Sequence, residues 1–464
     1  AYRGRAGSSY HRGDGVRAFV TGAAQKSRPS SLCEDEEWAL WTAKNERFER
    51  FEPQVAAGRV RAFGKTIPLF RRCGAPPLGG LSPRRAKTGA RIQTSRTHAS
   101  SVAATLEIWR IRMAKTQIGV IGCGWIGKQH LKALQKNSDV RIAAVGDVRE
   151  EAAKAYAEEF SADEYFGSGM NLIENAAVDG VVLALPAAYR YDLAVAALRK
   201  GLPVLIEKPI GRNVGEVLEM IAASGDVVAG CCSSRFRFFP PFRIVKDALA
   251  AGRIGDIRQI YVRDVGPVAP LPEALPPAWR LSKQINGGGF FVNKHSYFLD
   301  YLLALFDWKL EPSVVLGRAW PVPEEMVDWV PDGQDAEIKV SCQIRFAGGA
   351  TLDLDAGEKC FGPKESFTEI HGTSGALRFS VVPGDPFRVV LYSLDRTSGQ
   401  REDLLWEGAT DWSLQHSGII DNFVAAIRGE AEIATSLEHS LILQRISDAL
   451  YASSDSGRCV EIGG

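Results

Sequence analysis

From about residue 117 onward, short apolar runs alternate with stretches of helical spacing. Runs made almost entirely of Val, Ile, Leu and Ala are typical of strands that are buried on both faces. Five such runs joined by helices predict a parallel sheet with helices on both sides. The predicted strands are QIGVIGCG at 117–124, VRIAAVGD at 140–147, VDGVVLALP at 178–186, LPVLIEKP at 202–209 and DVVAGCCSS at 226–234.

The second half of the chain contains further strand-like segments, which we assign to a second domain. Examples are AEIKVSCQIRF at 336–346, ATLDLDA at 350–356 and FRVVLYSL at 387–394. We expect residues 113–235 to form the first domain and residues 236–464 the second.

Residues 1–112 differ from the rest of the chain in composition and charge. They are rich in Gly, Ser, Pro and Arg and lack sustained periodicity, which predicts a disordered extension. Their 21 Lys or Arg and 9 Asp or Glu give a net charge of +12, against −11 for residues 113–464. Because the first methionine is Met113, the preferred interpretation is a translated leader upstream of the true start.

Two other interpretations of this extension stay open. An organelle-targeting peptide is the second, although the acidic cluster at residues 34–37 argues against it because transit peptides avoid acids. A basic arm for nucleic acid or anionic membranes is the third and least favoured. We therefore expect a cytoplasmic protein, or an organellar one if the second interpretation holds, with neither a nucleic-acid partner nor a membrane span.

Hydropathy and cysteine spacing both agree with a cytoplasmic protein that has no membrane span. No stretch reaches the ~18 consecutive apolar residues of a membrane-spanning helix. The eight cysteines include no CxxC pair, so we predict no metal site and expect reduced thiols in a cytosol-like compartment.

A GxGxxG pattern stands where the first strand turns into the first helix. Gly122 permits the tight turn, Gly124 lets the backbone approach a pyrophosphate at the helix N-terminus, and Gly127 allows close packing of helix on strand. Asp147 ends the second strand, the place of an acid that binds a ribose 2′-hydroxyl. The pattern predicts a nicotinamide dinucleotide site that favours NAD over NADP, a preference that Arg149 can soften unless it is simply solvated.

Lys208 ends another strand of the predicted sheet, at the edge where open α/β sheets place ligands. Partial burial and a nearby nicotinamide ring would lower its pKa and make proton transfer feasible near neutral pH. A simple ion pair with Glu207 is geometrically poor, because adjacent strand residues point to opposite faces.

From Met113 onward the chain resembles the family of glucose–fructose oxidoreductase, inositol dehydrogenase and rhizopine-catabolism proteins (Gfo/Idh/MocA). The resemblance implies an N-terminal Rossmann domain and a C-terminal α/β domain with a large, mainly antiparallel sheet, whose open face builds dimers or tetramers. It also implies that Lys208 helps to bind substrate and to move its hydroxyl proton. The matching segments are GVIGCGWIGKQHLKAL, GVVLALPAAYRYDLAVAAL, VLIEKPIG, SSRFRFFPPF, AAGRIGDIRQI, WRLSKQINGGG, EIHGTSGALRF and ISDALYASSDSGRCVEI.

The helix after the glycines departs from the family pattern, which commonly reads GGGxLxDxGxHxxD. Asn293 stands at the first Asp position, His295 at the Gly and Tyr297 at the His, while Asp300 is retained. Residues 293 and 297 share a helix face, whereas His295 points elsewhere and is interpreted as a helix-flank or domain-contact histidine. Tyr297 then handles the proton, either as a phenolate stabilised by Lys208 or as a neutral acid, unless it is a packed aromatic in a degenerate site.

Three further residues are tentative substrate ligands. Arg190 replaces a family His and can bind a carboxylate, although an exposed helix-start role is slightly preferred. Trp279 and Arg280 precede the glycines, as in the family, so their loop is expected to border the substrate cleft. Trp279 either stacks on a sugar ring or anchors the loop.

Together these features predict an NAD(P)-dependent dehydrogenase that acts on the hydroxyl or carbonyl carbon of a sugar, polyol or cyclic diol. Two alternatives remain open: a non-catalytic NAD(P)-binding regulator, and a redox-neutral enzyme with tightly held cofactor. The predicted catalytic residues are Lys208, Tyr297 and Asn293. The predicted cofactor-binding residues are Gly122, Gly124, Trp125, Ile126, Gly127, Asp147, Pro186, Glu207 and Lys208.

Overall fold

The structure is a computed structural model that describes residues 115–384 and 387–463. The predicted extension over residues 1–112 lies outside the described residues. The first described domain alternates strands and helices. Its elements are β1 (Thr116–Ile121), α1 (Trp125–Lys136), β2 (Val140–Gly146), α2 (Glu150–Phe160), β3 (Glu164–Phe166), α3 (Gly169–Asn175), β4 (Gly180–Leu183), α4 (Ala187–Arg199), β5 (Val204–Ile206), α5 (Val214–Ser224) and β6 (Ala229–Cys231).

These strands form one sheet in the order β3-β2-β1-β4-β5-β6, and every neighbouring pair is parallel. This is the doubly wound Rossmann order, which confirms the predicted fold of the first domain. The five predicted strands are present, and the short β3 is an addition. The strand order reverses between β1 and β4, so their carboxyl ends open a crevice for ligands.

The second domain follows a 3-10 turn (Cys232–Phe238) in which the predicted domain boundary falls. Its elements are α6 (Pro240–Ala250), β7 (Ile257–Pro267), a 3-10 turn (Ala278–Leu281), α7 (Lys283–Asn286), a π-helical turn (Phe291–His295), α8 (Ser296–Leu305), β8 (Pro312–Pro321), a 3-10 turn (Glu324–Trp329), β9 (Glu337–Phe346), β10 (Thr351–Cys360), β11 (Glu365–Gly372), β12 (Gly375–Phe379), β13 (Phe387–Asp395), β14 (Gly399–Gly408), α9 (Leu414–Ile427), α10 (Leu437–Ser456) and β15 (Val460–Glu461).

Nine of these strands form a sheet in the order β14-β13-β12-β11-β7-β10-β9-β8-β15. Only β7 and β10 pair in parallel, so the expected large, mainly antiparallel sheet is confirmed. Helix α8 packs on one face, where Phe298 and Leu302 join Val340 and Leu352 in the core. Along β9, buried and exposed residues alternate, because only one face of the sheet is covered.

The last helices return to the first domain. In α9, Ile420 and Phe423 pack into the same core as Ile118 of β1. Just before α10, the Thr435 carbonyl accepts a hydrogen bond of 2.9 Å from the Cys231 amide at the end of β6. The C-terminal part of the chain therefore braces the sheet edge at which the candidate site lies.

Within the described residues, the six cysteines are free thiols, as expected. None of the described helices is both long and apolar enough to cross a membrane.

Candidate active site

The glycine turn after β1 leaves space for a phosphate group. Gly122 has φ +106°, which favours glycine. A Cβ added at Gly122 would lie 2.4 Å from the Ala184 carbonyl oxygen, and one added at Gly127 would lie 1.9 Å from the Gly122 carbonyl oxygen. At Gly124, in contrast, a Cβ would meet no heavy atom within 4 Å. The fold therefore requires Gly122 and Gly127, while the open space at Gly124 suits a pyrophosphate.

The N-terminus of α1 offers matching hydrogen-bond donors. Gly124 is its N-cap, and within this described helix no side chain caps the backbone and no acid lies in the first turn. The first N–H groups and the helix dipole can therefore bind an anion. Trp125 and Ile126 are half-buried in this turn, and the Trp125 ring centroid lies 6.3 Å from that of His416. Trp125 and Ile126 therefore lie beside the helix N-terminus where the predicted dinucleotide would bind.

Asp147 follows β2 directly beside the glycine turn. Its Oδ2 accepts a hydrogen bond of 2.7 Å from the Cys123 amide, and its Oδ1 accepts one of 2.9 Å from the Arg149 amide. Arg149 starts α2 with 59% of its side chain exposed, which agrees with a solvated helix-start residue, and its Nε lies 3.2 Å from Asp147 Oδ1. The carboxylate that is predicted to bind a ribose hydroxyl and the guanidinium of Arg149 thus lie side by side.

Lys208 lies just beyond β5 and reaches across to the second domain. Its Nζ donates to Asn293 Oδ1 at 2.7 Å and to the Asn293 carbonyl oxygen at 2.5 Å. The Glu207 side chain instead receives Arg235 and His130, at 2.9 and 2.8 Å. The structure therefore places Lys208 beside Asn293, and the expectation that Lys208 and Glu207 are poorly placed to pair agrees with these contacts.

The surroundings of Lys208 lower its pKa to about 7. Burial is the largest cause because it penalises the charged ammonium. Glu207 opposes the shift, whereas the positive charges of Arg235, Arg280 and Arg190 add to it. A comparable fraction of protonated and neutral amine is present near neutral pH, which suits a group that both accepts and returns a proton.

Glu207 anchors a buried polar network behind Lys208. Burial alone raises the pKa of Glu207, but the charge of Arg235 and the hydrogen bond of His130 hold that pKa well below its usual value. Cys232 lies nearby, with its sulfur, the His130 ring nitrogen and a Glu207 oxygen all within 4.8 Å of one another. Since Arg235 already binds Glu207 Oε1, this cluster suits a hydrogen-bond network better than a metal ion.

Tyr297 completes the contact with Lys208. Lys208 Nζ lies 5.1 Å from the centroid of the Tyr297 ring, and Arg235 Cζ lies equally far from it. Burial raises the pKa of the Tyr297 phenol well above its usual value, although Arg235 opposes this. The phenol is therefore protonated across the physiological range, which favours the neutral-acid alternative over the phenolate.

Gly288 and Gly289 allow the segment that leads to Asn293 to approach α10 and β9 closely. A Cβ at Gly288 would lie 2.0 Å from the Tyr451 hydroxyl, and one at Gly289 would lie 2.1 Å from the Glu337 carbonyl oxygen. The buried Glu337 carboxylate accepts the amide hydrogens of Gly289, at 3.0 Å, and of Phe291, at 2.9 Å. It thereby satisfies the start of the π-helical turn that presents Asn293, a type of turn frequent at functional sites.

His295 points away from Lys208, as expected for a contact histidine. It is fully buried, stacks on Phe291, and its Nε2 lies 3.2 Å from Asp264 Oδ2. Burial lowers the pKa of His295, although Asp264 opposes this. Lys294 also binds Asp264, at 3.0 Å, so these residues tie the π-helical turn to β7.

Arg190 corrects one expectation. The preferred prediction of an exposed helix-start residue is wrong, because only 1% of Arg190 is exposed. Its Nη1 donates to the Leu185 carbonyl oxygen, while Nε and Nη2 are buried without a hydrogen-bond partner in the described structure. Pro186, the predicted cofactor contact, is half-buried and caps the start of α4.

Trp279 and Arg280 lie in the 3-10 turn that leads to the glycines, and both are half-buried. The turn is anchored because the Leu281 carbonyl oxygen accepts hydrogen bonds from the amides of Asp335 and Ala336. The positive charge of Arg280 is one cause of the lowered pKa of Lys208, so the guanidinium lies within electrostatic range of the amine.

Both domains match the models of a single family. Residues 116–226 match the oxidoreductase family with an NAD-binding Rossmann fold, and residues 246–462 match its C-terminal alpha/beta domain. The chain belongs to the Gfo/Idh/MocA oxidoreductase family. The first match covers the Rossmann domain described above, and the second covers the domain that contains the nine-stranded sheet.

Two of the curated relatives are dehydrogenases that act on an inositol and on levoglucosan. Inositol 2-dehydrogenase from Rhizobium meliloti is 27% identical over 349 residues, which cover 75% of this chain and 99% of that protein. Levoglucosan dehydrogenase from Pseudarthrobacter phenanthrenivorans is 26% identical, covering 61% and 77%. Among Gfo/Idh/MocA structures, a putative myo-inositol dehydrogenase from Sinorhizobium meliloti is 25% identical, with a TM-score of 0.60 over 75% of this chain and all of that chain. Levoglucosan dehydrogenase in complex with NADH shares the fold at 21% identity, with a TM-score of 0.66 over 75% and 99%.

The glycine geometry predicts opposite outcomes for two alanine substitutions. Gly124→Ala should leave the melting temperature unchanged but weaken NAD binding by about tenfold or more, because a methyl group would replace a backbone contact worth ~1.4 kcal/mol. Gly127→Ala should lower the yield of folded protein, because its Cβ collides with the Gly122 carbonyl oxygen. Differential scanning fluorimetry and calorimetric NAD titration measure both effects. Unchanged NAD affinity in folded Gly124→Ala protein would contradict the placement of the pyrophosphate.

Proposed function

We propose that this chain is an NAD(P)-dependent dehydrogenase that transfers hydride between nicotinamide and the hydroxyl or carbonyl carbon of a sugar, polyol or cyclic diol. The observation that carries the proposal is the Lys208 amine. It has a pKa of about 7 and meets Asn293 and Tyr297 at the edge of the Rossmann sheet. The inositol and levoglucosan dehydrogenases among the relatives support this substrate class.

Asn293 gives Lys208 a defined orientation for proton transfer. A neutral amine has two N–H bonds and one lone pair, and Asn293 offers two acceptors, its Oδ1 and its carbonyl oxygen. With both N–H bonds used, the lone pair is left to take the proton of a substrate hydroxyl. In the reverse direction the ammonium keeps the same two bonds and donates its third proton to the substrate oxygen.

When bound, the nicotinamide accepts or supplies the hydride. Tyr297, which stays protonated, donates a hydrogen bond to the reacting oxygen. Glu207 and Arg235 neutralise each other behind Lys208 and keep the base in place. The carboxylate of Asp147 favours NAD, with Arg149 allowing some use of NADP.

Replacement of Lys208 tests this mechanism. Lys208→Met should reduce kcat for sugar or polyol oxidation by about 100-fold or more, the usual contribution of a general base, while NAD affinity stays unchanged. In the wild type, oxidation should rise with pH through about 7, because the amine must be neutral to accept a proton. Reduction should fall over the same range, because the ammonium is the donor. Absorbance of reduced nicotinamide across pH measures both directions.

Tyr297→Phe separates the roles of the two side chains. It should retain the pH midpoint of Lys208 and lose a smaller part of kcat, because the amine remains. Full activity in Lys208→Met would reject the site assignment, and undiminished turnover in Tyr297→Phe would leave Tyr297 a packing role. Bound cofactor that never turns over with any sugar, polyol or cyclic diol would favour the regulator, and product formed without net reduced cofactor would favour the redox-neutral enzyme.

We also propose that the open face of the nine-stranded sheet builds a homodimer or homotetramer. A depression of about 700 Å³ on this face is lined by Leu316 and Trp320. Both are large exposed apolar side chains. Beside them, Lys339 and Arg263 bind Asp355. Exposed apolar side chains beside ion pairs are typical of subunit interfaces.

The free thiols of the described residues agree with a cytoplasmic location.

Light scattering on a size-exclusion column tests the assembly. The double variant Leu316→Asp with Trp320→Asp should shift an oligomer to the monomer, because two charges would be buried at the interface. Leu218→Asp is the control, since Leu218 is an exposed apolar residue of α5 in the other domain. A monomeric wild type, or an oligomer that survives the double variant, would refute the proposed interface.

A further inference from the structure

The charges around Lys208 do not balance. Three arginines, Arg190, Arg235 and Arg280, act on Lys208 with their positive charge. The acid among them, Glu207, is already bound by Arg235 and His130. The site therefore carries an excess of positive charge on the substrate side of the sheet.

The excess arises where the chain departs from its family. Asn293 stands at the commonly acidic position of the helix and offers Lys208 an amide and a carbonyl instead of a carboxylate. Arg190 stands where a histidine is common and adds a buried guanidinium. Both departures make the site more positive, one by removing a carboxylate and the other by adding a guanidinium.

Arg190 contributes a buried positive charge that no carboxylate of the described residues meets in an ion pair, since Glu207 and Glu216 act on it only from a distance. It is almost fully buried, and its Nε and Nη2 have no hydrogen-bond partner among the described residues. Its contact is the uncharged Leu185 carbonyl oxygen. An unpaired buried cation is costly unless a negative group comes close to it, so the site is more stable with an anion bound nearby.

Arg280 is the cation that a ligand can reach. It is half-buried in the anchored 3-10 turn between the second domain's β7 and the glycines, close to Lys208. No carboxylate of the described residues forms an ion pair with its guanidinium. A guanidinium presents a planar fork of donors that matches the two oxygens of a carboxylate.

We propose that the substrate of this dehydrogenase is an anion, a sugar acid or polyhydroxy acid whose carboxylate binds Arg280 while its reacting hydroxyl faces Lys208. The proposal rests on the proposed function and narrows its substrate class. Arg190 adds positive charge to the site without touching the bound anion. Neutral polyols bind the same pocket without this interaction and therefore more weakly.

Matched pairs of compounds test the substrate class on the full-length protein loaded with NAD. D-Glucuronate is compared with D-glucuronamide, and D-gluconate with D-glucitol, because each pair exchanges a carboxylate for a neutral group. Dissociation constants come from calorimetry, and kcat and KM come from the absorbance of reduced nicotinamide. The acid of at least one pair should bind about tenfold more tightly than its neutral partner, since a hydrogen bond to a charged group contributes on the order of 1.5 kcal/mol.

Arg280→Met should abolish this preference and bring the acid to the affinity of its neutral partner. Arg280→Lys should restore part of it, because the charge returns without the fork. Arg258→Met is the control, since Arg258 is exposed on β7 and should leave the preference unchanged. Circular dichroism checks that each variant is folded.

Equal binding within both pairs, tighter binding of the neutral members, or an unchanged preference in Arg280→Met would overturn the proposal. Reduction of cofactor by neutral polyols alone would do so while leaving the proposed dehydrogenase intact. If NAD binds but no compound of either series reduces it, the dehydrogenase proposal itself fails, and the anionic substrate with it.

Discussion

The bond between Lys208 and Asn293 is the interaction on which the candidate site depends. It joins the carboxyl edge of the parallel sheet to the π-helical turn of the second domain, and it does so without a carboxylate. Because burial is not offset by a direct ion pair, the amine has a pKa of about 7. A single contact thus sets both the position and the protonation of the group that is proposed to move the proton.

The rest of the second domain holds that contact in place. Glu337 on β9 satisfies the amides at the start of the turn, and Asp264 on β7 holds Lys294 and His295. The large sheet is therefore more than an oligomer surface, because its covered face fixes the backbone on either side of Asn293. Behind Lys208, the Glu207 carboxylate binds Arg235 and His130. The charged groups that act on the lysine are therefore mainly cations.

Much of the fold followed from local patterns in the sequence. Continuous apolar strands and the glycine spacing predict the Rossmann domain, because strand burial and the φ of Gly122 are local requirements. The approach of Lys208, Asn293 and Tyr297 was also predicted, through the helix spacing and the family pattern. The π-helical form of the turn was not predicted, and the Glu337 carboxylate that accepts the Phe291 amide lies more than forty residues further along the chain.

The network around Glu207 was likewise beyond local patterns. Arg235 and His130 lie 28 and 77 positions from Glu207, and neither has a spacing that suggests the contact. Arg190 was expected to be exposed as a helix-start residue, yet the packing of α4 leaves only 1% of it exposed. Burial of single charged residues depends on tertiary packing, which propensity and periodicity do not report.

Direct titration of the Lys208 amine tests the central claim most directly. In protein labelled with ¹³C at the lysine Cε, the resonance that is missing in Lys208→Met identifies the residue, and its chemical shift is followed across pH. The account predicts a midpoint near 7. A midpoint close to the ordinary lysine value of 10.5 would contradict it, because Lys208 would then be permanently charged at neutral pH and unable to accept the proton.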